Sequence, residues 1–345
     1  MKKAFVLLVL IVLGISYAQD TPVVEILEVT EEDRLVRHAF GETRVPLNPQ
    51  RVATLIPGGG VDYFFTYGVV PVAAADLNGF GWSDSARPTY YELLEFPIEV
   101  TADEIEGIGC CAGSYSLETL LAANPDVIIG WDYQFGDAYD EFSAIAPSVA
   151  IDPTNGPQWI EAGRLIAEVI GRSEQHEVWL ASYEATVEDL REQYAEFGDP
   201  SDVQVTFLNG SNPTALRICA PGESQMTILA ETVGFSVTEL PDGVGEGACP
   251  ELSLELLPAA DADVIFITTN FFEPERRDTF FAEGFGSTEI WQSLEAVQND
   301  RVYFIDTFFW TNGGPSVNTQ VVLPDMFAAI YENQDPRFSL LEDAE

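Results

Sequence analysis

Short apolar runs alternate with helical stretches along most of the chain, and this alternation predicts an α/β architecture. Val23 to Val29 and Leu35 to Phe40 read as two strands joined by the polar turn Thr30-Glu31-Glu32-Asp33. Further strands are expected over Arg51 to Ile56, Val69 to Ala74 and Val127 to Gly130, with helices over Val61 to Tyr67 and Leu117 to Ala123. Gly58-Gly59-Gly60 precedes the first helix. It lacks the Lys and the spacing of a phosphate loop, so it reads as a tight turn facing a cleft.

The alternation stops near residue 156. Pro157-Gln158-Trp159 starts a helix that ends near Gly171, and Ser173 is placed to cap a longer one from about Glu174 to Phe197. Leu180, Tyr183, Val187, Leu190, Tyr194 and Phe197 recur three or four apart, one apolar stripe on a rod of about 35 Å. Gly198-Asp199-Pro200 ends the rod, and the strand Val203 to Leu208 resumes the alternation. The predicted fold is α/β: two similar lobes joined by one long backbone helix, with a ligand cleft between them. Residues 19–172 form the first lobe, 173–198 the helix, 199–335 the second lobe and 336–345 an acidic tail.

A repeat supports two lobes of like construction. Ser116-Leu117-Glu118-Thr119-Leu120-Leu121-Ala122-Ala123-Asn124-Pro125-Asp126-Val127-Ile128-Ile129 returns as Ser253-Leu254-Glu255-Leu256-Leu257-Pro258-Ala259-Ala260-Asp261-Ala262-Asp263-Val264-Ile265-Phe266. Each copy reads as a Ser-capped short helix, a turn at Asp and a buried strand. The repeated Leu, Ala, Val and Ile serve packing. The repeated Glu is not demanded by folding, although an acid in a first turn is mildly stabilising.

Composition narrows the function. The 345 residues carry 57 Asp+Glu against 15 Lys+Arg, a net charge of −42. No basic footprint for nucleic acid exists, and adhesion to anionic lipid is disfavoured. Lys2 and Lys3 are the only lysines; they precede the apolar run Ala4 to Ile15 and the small residues of Ser16-Tyr17-Ala18, the pattern of a signal peptide over 1–18. Export through a cleaved leader, to the periplasm or another extracytoplasmic space, is the expectation. A surface so acidic suits a salty environment, where screening relieves self-repulsion. Cys110, Cys111, Cys219 and Cys249 can then form disulfides. Cys219–Cys249 is the favoured bridge, and the state of the adjacent Cys110 and Cys111 stays open.

Catalysis finds little support. His38 falls in the leading hairpin and His176 on the long helix, neither near a plausible nucleophile, and two separated imidazoles do not make a metal site. Aromatic and Arg residues gather instead in loops after strands, where open α/β sheets bind ligands. These are Trp82, Arg87, Tyr90, Tyr91, Trp131, Tyr133 and Phe135 in the first half, then Arg217, Asn270, Phe271, Phe272 and Trp310. Such a lining suits a bulky ligand with flat faces and some oxygen charge.

Taken in order, several segments resemble a known family. They are His38-Ala39-Phe40-Gly41-Glu42-Thr43-Arg44-Val45-Pro46, Pro49-Gln50-Arg51-Val52, Tyr67-Gly68-Val69-Val70-Pro71-Val72, both Ser-Leu-Glu copies, Ile145-Ala146-Pro147-Ser148-Val149, Ala296-Val297-Gln298-Asn299-Asp300-Arg301-Val302-Tyr303, and Trp310 with Gly313-Gly314-Pro315. The chain is similar to helical-backbone periplasmic solute-binding proteins, the group serving iron-siderophore and cobalamin ABC importers. The resemblance implies no catalysis, no resident cofactor, a ligand held between the lobes and delivery to a membrane-embedded permease dimer by a monomer. It places the family's paired docking glutamates on Glu118 and Glu255, its second-lobe ligand Arg on Arg217 and its cleft Trp on Trp310. Cys110-Cys111 departs from the small or polar residues expected near the cleft.

The expected ligand is a ferric siderophore, iron entering only as part of that complex. Few Arg lie near the loops, namely Arg87, Arg217, Arg276 and Arg277, which favours a hydroxamate or mixed-ligand chelate of low charge over a tris-catecholate. Cobalamin or haem is the alternative within the class. An exported carboxylate-dependent hydrolase and a receptor serving a sensor are the alternatives outside it.

Overall fold

The computed structural model describes residues 24–56, 60–75, 94–99, 104–109, 114–152, 159–210, 212, 215–269, 280 and 282–337. Residues 1–18, read from the sequence as a signal peptide, and Cys110 and Cys111 lie outside them. The leading hairpin gains a third strand, giving β1 (Glu25–Val29), β2 (Asp33–His38) and β3 (Gly41–Pro46) in antiparallel order. His38 pairs with Gly41 across the Ala39-Phe40 turn, and Gly41, at φ 125°, leaves that turn in a left-handed conformation that favours glycine. On the outer face Arg37 pairs with Glu25 and Glu42, and Arg44 with Glu28 and Asp33. These are exposed pairs worth little each.

Two parallel sheets follow. The first holds β4 (Val52–Thr54), β5 (Ala73–Ala74), β6 (Glu106–Gly107), β7 (Val127–Trp131) and β8 (Ser148–Ile151) in the order β6-β5-β4-β7-β8. The second holds β9 (Gln204–Asn209), β10 (Arg217–Ile218), β11 (Ser236–Val237), β12 (Val264–Thr269) and β13 (Val302–Asp306). Its order is β10-β9-β12-β13, with β11 on the start of β9 and only β10 antiparallel. Strands covered on both faces read as unbroken apolar runs, which is why β7 and β12 are legible in the sequence. The strand expected over Val69 to Ala74 is paired only at Ala73 and Ala74.

The repeat now has part of its reason. Asp126 accepts hydrogen bonds from the backbone of Gln50 (2.8 Å) and Arg51 (3.0 Å), and Asp263 accepts one from Gln204 (2.8 Å). In each lobe the repeated Asp therefore ties the start of one strand to its neighbour. The helices before these strands differ. Helix α1 spans Val61–Thr66; helix α2, Leu117–Ala123, is α-helical and capped by Ser116, whose hydroxyl accepts from Thr119 N at 3.2 Å. Leu254–Ala260 is a 3₁₀ helix and Ser253 makes no side-chain cap, contrary to the expected second capped helix. Pro258 lies inside it, and its ring both removes an N–H and blocks the carbonyl four residues back.

Helix α3 (Trp159–Val169) leads into the long helix α4 (Ser173–Gln193), which a 3₁₀ turn over Ala195–Phe197 follows. The sequence placed Ser173 as the cap and put Leu180 and Phe197 on the buried stripe. The structure instead caps with Arg172, buries His176 and Trp179, leaves Leu180 partly covered and exposes Phe197. The bridge is also doubled. Residues 315–332 form a helix of alternating α and π turns alongside α4. Trp179 Nε1 donates to Thr319 Oγ1 (3.3 Å), and Tyr194 stacks on Tyr331 with ring centroids 5.3 Å apart. Pro324 cannot donate to the carbonyl of Gln320; the Arg337 guanidinium does so at 2.7 Å, while also pairing with Asp325. One apolar core runs from Val52 and Phe64 through Trp159 and Tyr183 to Val205 and Phe327, so the lobes are packed together through the bridge.

Cys219 and Cys249 form a disulfide in the second lobe. On a loop-closure account, replacing both by Ala costs about 3–4 kcal/mol, read as a fall in the denaturation midpoint against wild type. Peptide mapping that finds both thiols free would refute the bridge.

Candidate functional site

The carboxyl ends of the parallel strands, where such sheets bind ligands, define the site. In the first lobe Trp131 closes β7. Its backbone N–H donates to Gln134 Oε1 at 2.8 Å, and its indole meets Tyr63 edge-on at 6.4 Å. Trp131 is partly exposed and Tyr133 is 59% exposed, so both offer aromatic surface. In the second lobe Arg217 lies opposite Asn209, at the carboxyl end of β9, and is exposed.

Arg217 differs from its fellows. Among the described residues, every other arginine gives its guanidinium to a carboxylate, an amide oxygen or a backbone carbonyl. Arg34, Arg51, Arg172, Arg191 and Arg301 reach carbonyls, and Arg37, Arg44, Arg164 and Arg337 reach carboxylates. Arg217 forms no such bond with the described residues. An unengaged cation at the ligand edge of so acidic a protein is a ready partner for an anionic group.

Trp310 has the opposite fate. It is 1% exposed and packs against Phe266 with centroids 5.0 Å apart, so it is core of the second lobe rather than a cleft wall. Trp82, Arg87, Tyr90, Asn270, Phe271 and Phe272 lie outside the described residues.

The strand-end edges meet at a joint that no sequence motif announced. Asp62, on α1, is fully buried and accepts from Val317 N (2.9 Å), Ser316 N (3.3 Å) and Thr66 Oγ1 (2.9 Å). It caps the helix over 315–332 from the other lobe. Burial pushes its carboxyl up to about 7, against the hydrogen bonds that favour the charged form. A Cβ on Gly314 would sit 2.7 Å from that of Asp62, so only Gly allows this approach. Gln320 adds a second tie, accepting from Glu95 N (2.8 Å) and donating to Glu95 O (2.9 Å). The signals available were a lone acid in the apolar run Val61-Asp62-Tyr63-Phe64-Phe65 and the Gly313-Gly314-Pro315 helix start.

Glu118 and Glu255 are both exposed, and neither carboxylate has a hydrogen bond or ion pair among the described residues. Each sits in the first turn of a helix that runs back along its sheet before the next strand, which places both on the carboxyl-end edge. The histidines are spoken for. His38 is buried between Thr43 (2.9 Å) and Tyr139 (3.2 Å), and burial lowers it to about 4. His176 contacts the Tyr67 hydroxyl at 3.0 Å and is also lowered by burial.

A periplasmic binding protein family profile matches residues 111–307. The chain belongs to that family. As a periplasmic binding protein it holds a solute and is not an enzyme. It is 23% identical over 304 residues to the probable siderophore-binding lipoprotein YfiY of Bacillus subtilis (strain 168), covering 86% of this chain and 87% of the relative. It is 25% identical over 284 residues to the achromobactin-binding periplasmic protein of Dickeya dadantii (strain 3937), covering 81% and 85%. Among solved structures, Staphylococcus aureus SirA complexed with staphyloferrin B superposes with a TM-score of 0.66 at 21% identity, covering 86% of this chain and 97% of that one. That likeness matches the two-lobed α/β fold described above. Among the described residues, no helix is long and apolar enough to cross a membrane.

Proposed function

We infer that this protein captures a ferric siderophore outside the cytoplasm and presents it to the permease of an ABC importer. The observation that carries the ligand class is Arg217, the exposed and unengaged cation at the strand-end edge, with the aromatic surface of Trp131 and Tyr133 on the other lobe. A chelate that wraps iron in oxygen donors supplies the negative charge for the first and broad organic faces for the second. The names of the relatives support the same class, since they include siderophore-binding, Fe(3+)-citrate-binding and achromobactin-binding proteins. Iron is cargo on this reading and the protein has no resident cofactor. A leader cleaved after Ala18 exports it, and it works as a monomer over a permease dimer. The unpaired Arg217 favours a chelate bearing carboxylates, a shift from the low-charge ligand that the Arg count alone suggests.

Titration with ferric citrate, ferrichrome, cobalamin and haem tests this. Tryptophan fluorescence quenching and a raised melting temperature are expected with an iron chelate and not with cobalamin or haem. Arg217→Ala should weaken binding by about tenfold or more. Binding of cobalamin or haem alone, or of nothing in the panel, would overturn the ligand assignment.

A further inference from the structure

We propose that the Cys219–Cys249 disulfide positions Arg217 for the ligand, an inference that rests on the ligand role given to Arg217 above. Arg217 pairs with Asn209 of β9 on one side and bridges Glu251 in antiparallel fashion on the other. The register carries on from that bridge: Leu252 N donates to Leu216 O (2.9 Å), Ile218 N to Pro250 O (3.0 Å) and Ala220 N to Ala248 O (2.9 Å). Arg217 opposite Glu251 and Cys219 opposite Cys249 are therefore successive non-hydrogen-bonded rungs, on the same face and two residues apart. The disulfide is the rung next to Arg217.

The rung between them is weak. In an antiparallel ladder Ile218 and residue 250 would exchange two hydrogen bonds, but Pro250 has no N–H to return. β10 itself is only two residues long and forms the sheet edge, with residues 248–252 as its sole outer cover among the described residues. A covalent link beside the missing hydrogen bond holds this cover in register. The strand carrying Arg217 then stays fixed while its side chain, exposed and unengaged, is free to meet the ligand. Order imposed before binding lowers the entropy lost on binding.

The experiment combines Cys219→Ala/Cys249→Ala, Arg217→Ala and all three, with ferric citrate as probe at a temperature well below each melting midpoint. The cysteine pair should weaken ferric citrate binding several-fold in the Arg217 background and have no further effect once Arg217 is Ala, because the disulfide acts through that side chain. Adding Pro250→Ala, which returns the missing donor to Ile218, should recover part of the loss. Hydrogen exchange gives a readout free of any ligand: in the cysteine pair, protection should fall over residues 216–220 and 248–252 while β12 and β13 keep theirs. Additive effects of the disulfide and Arg217, or unchanged exchange over those segments, would overturn the proposal. A wild-type protein that binds ferrichrome but not ferric citrate moves the affinity cycle to ferrichrome. One that binds no iron chelate overturns the functional reading, and the exchange result then decides the disulfide's hold on the strand by itself.

Discussion

Replacing Glu118 and Glu255 together by Ala is expected to cut import sharply while leaving ligand affinity and melting temperature almost unchanged. The repeat contains residues with three kinds of duty. Leu120, Ala123 and Val127 in the first copy and Leu257, Ala260 and Val264 in the second are buried core, and Asp126 and Asp263 tie neighbouring strands together. Glu118 and Glu255 do neither, for both are exposed and have no hydrogen bond or ion pair among the described residues. Interaction with the helix dipole is worth about 0.3–1 kcal/mol at most. It is a poor reason for Glu255, whose helix is a short 3₁₀ turn interrupted by Pro258. The same acid stands at the same place on two lobes whose local structures differ, which suits two equivalent basic sites on a two-fold permease. Charge pairs at such an interface cost about 2–5 kcal/mol when one partner is truncated, so transport should fall by more than about tenfold. Uptake of radiolabelled iron into vesicles, beside ligand titration of the same variant, checks this. Wild-type transport by the double variant would show that the acids have no part in docking.

Asp62→Ala is expected to give the largest loss of stability of any single substitution considered. It removes the cap of the helix over 315–332, orphans the N–H groups of Ser316 and Val317 and leaves a void where two lobes meet. Together these amount to about 2–4 kcal/mol, measurable as a lower denaturant midpoint. Gly314→Ala should be destabilising too, since its Cβ would press on Asp62. The carboxyl also predicts a pH dependence with a definite sign. Its ordinary value is 3.8 and the folded value is about 7, so the folded state holds the proton through that window. The associated stability is fully present below about pH 4 and is lost as pH rises through 7. The difference in stability between wild type and Asp62→Asn should therefore shrink across this range and level off above it. A difference that is constant with pH would place the titration elsewhere.

Elements that satisfy their own local pattern were legible. The helix over Leu117–Ala123 has its cap, its apolar spacing and its left-handed Asn124 stop within one short stretch, and β7 is a covered apolar run. The alternation of such pieces, the repeat and the acid shared by both copies were likewise open to inspection. Errors arose where the partner decides. Trp310 looked like a ligand residue because loops after strands carry aromatics, yet it is enclosed by the second lobe's core. The buried stripe of α4 took in Trp179 and His176 because α3 and the helix over 315–332 flank it, which periodicity within α4 does not record.

The sequence by itself determined the class of fold, the two-lobed plan, the acidic character and the recurrence of one glutamate in both copies of the repeat, because each is a matter of period, composition or self-similarity. Tertiary structure decided that the bridge is two helices, that Asp62 caps a helix 255 positions away and that Arg217 stands beside a disulfide with no hydrogen-bond partner for its guanidinium among the described residues. The physical reason is range. Hydrophobic period and capping chemistry act within a turn or a strand, whereas a buried carboxylate, a cross-strand bridge and an unengaged cation take their meaning from groups that only the closed chain brings together.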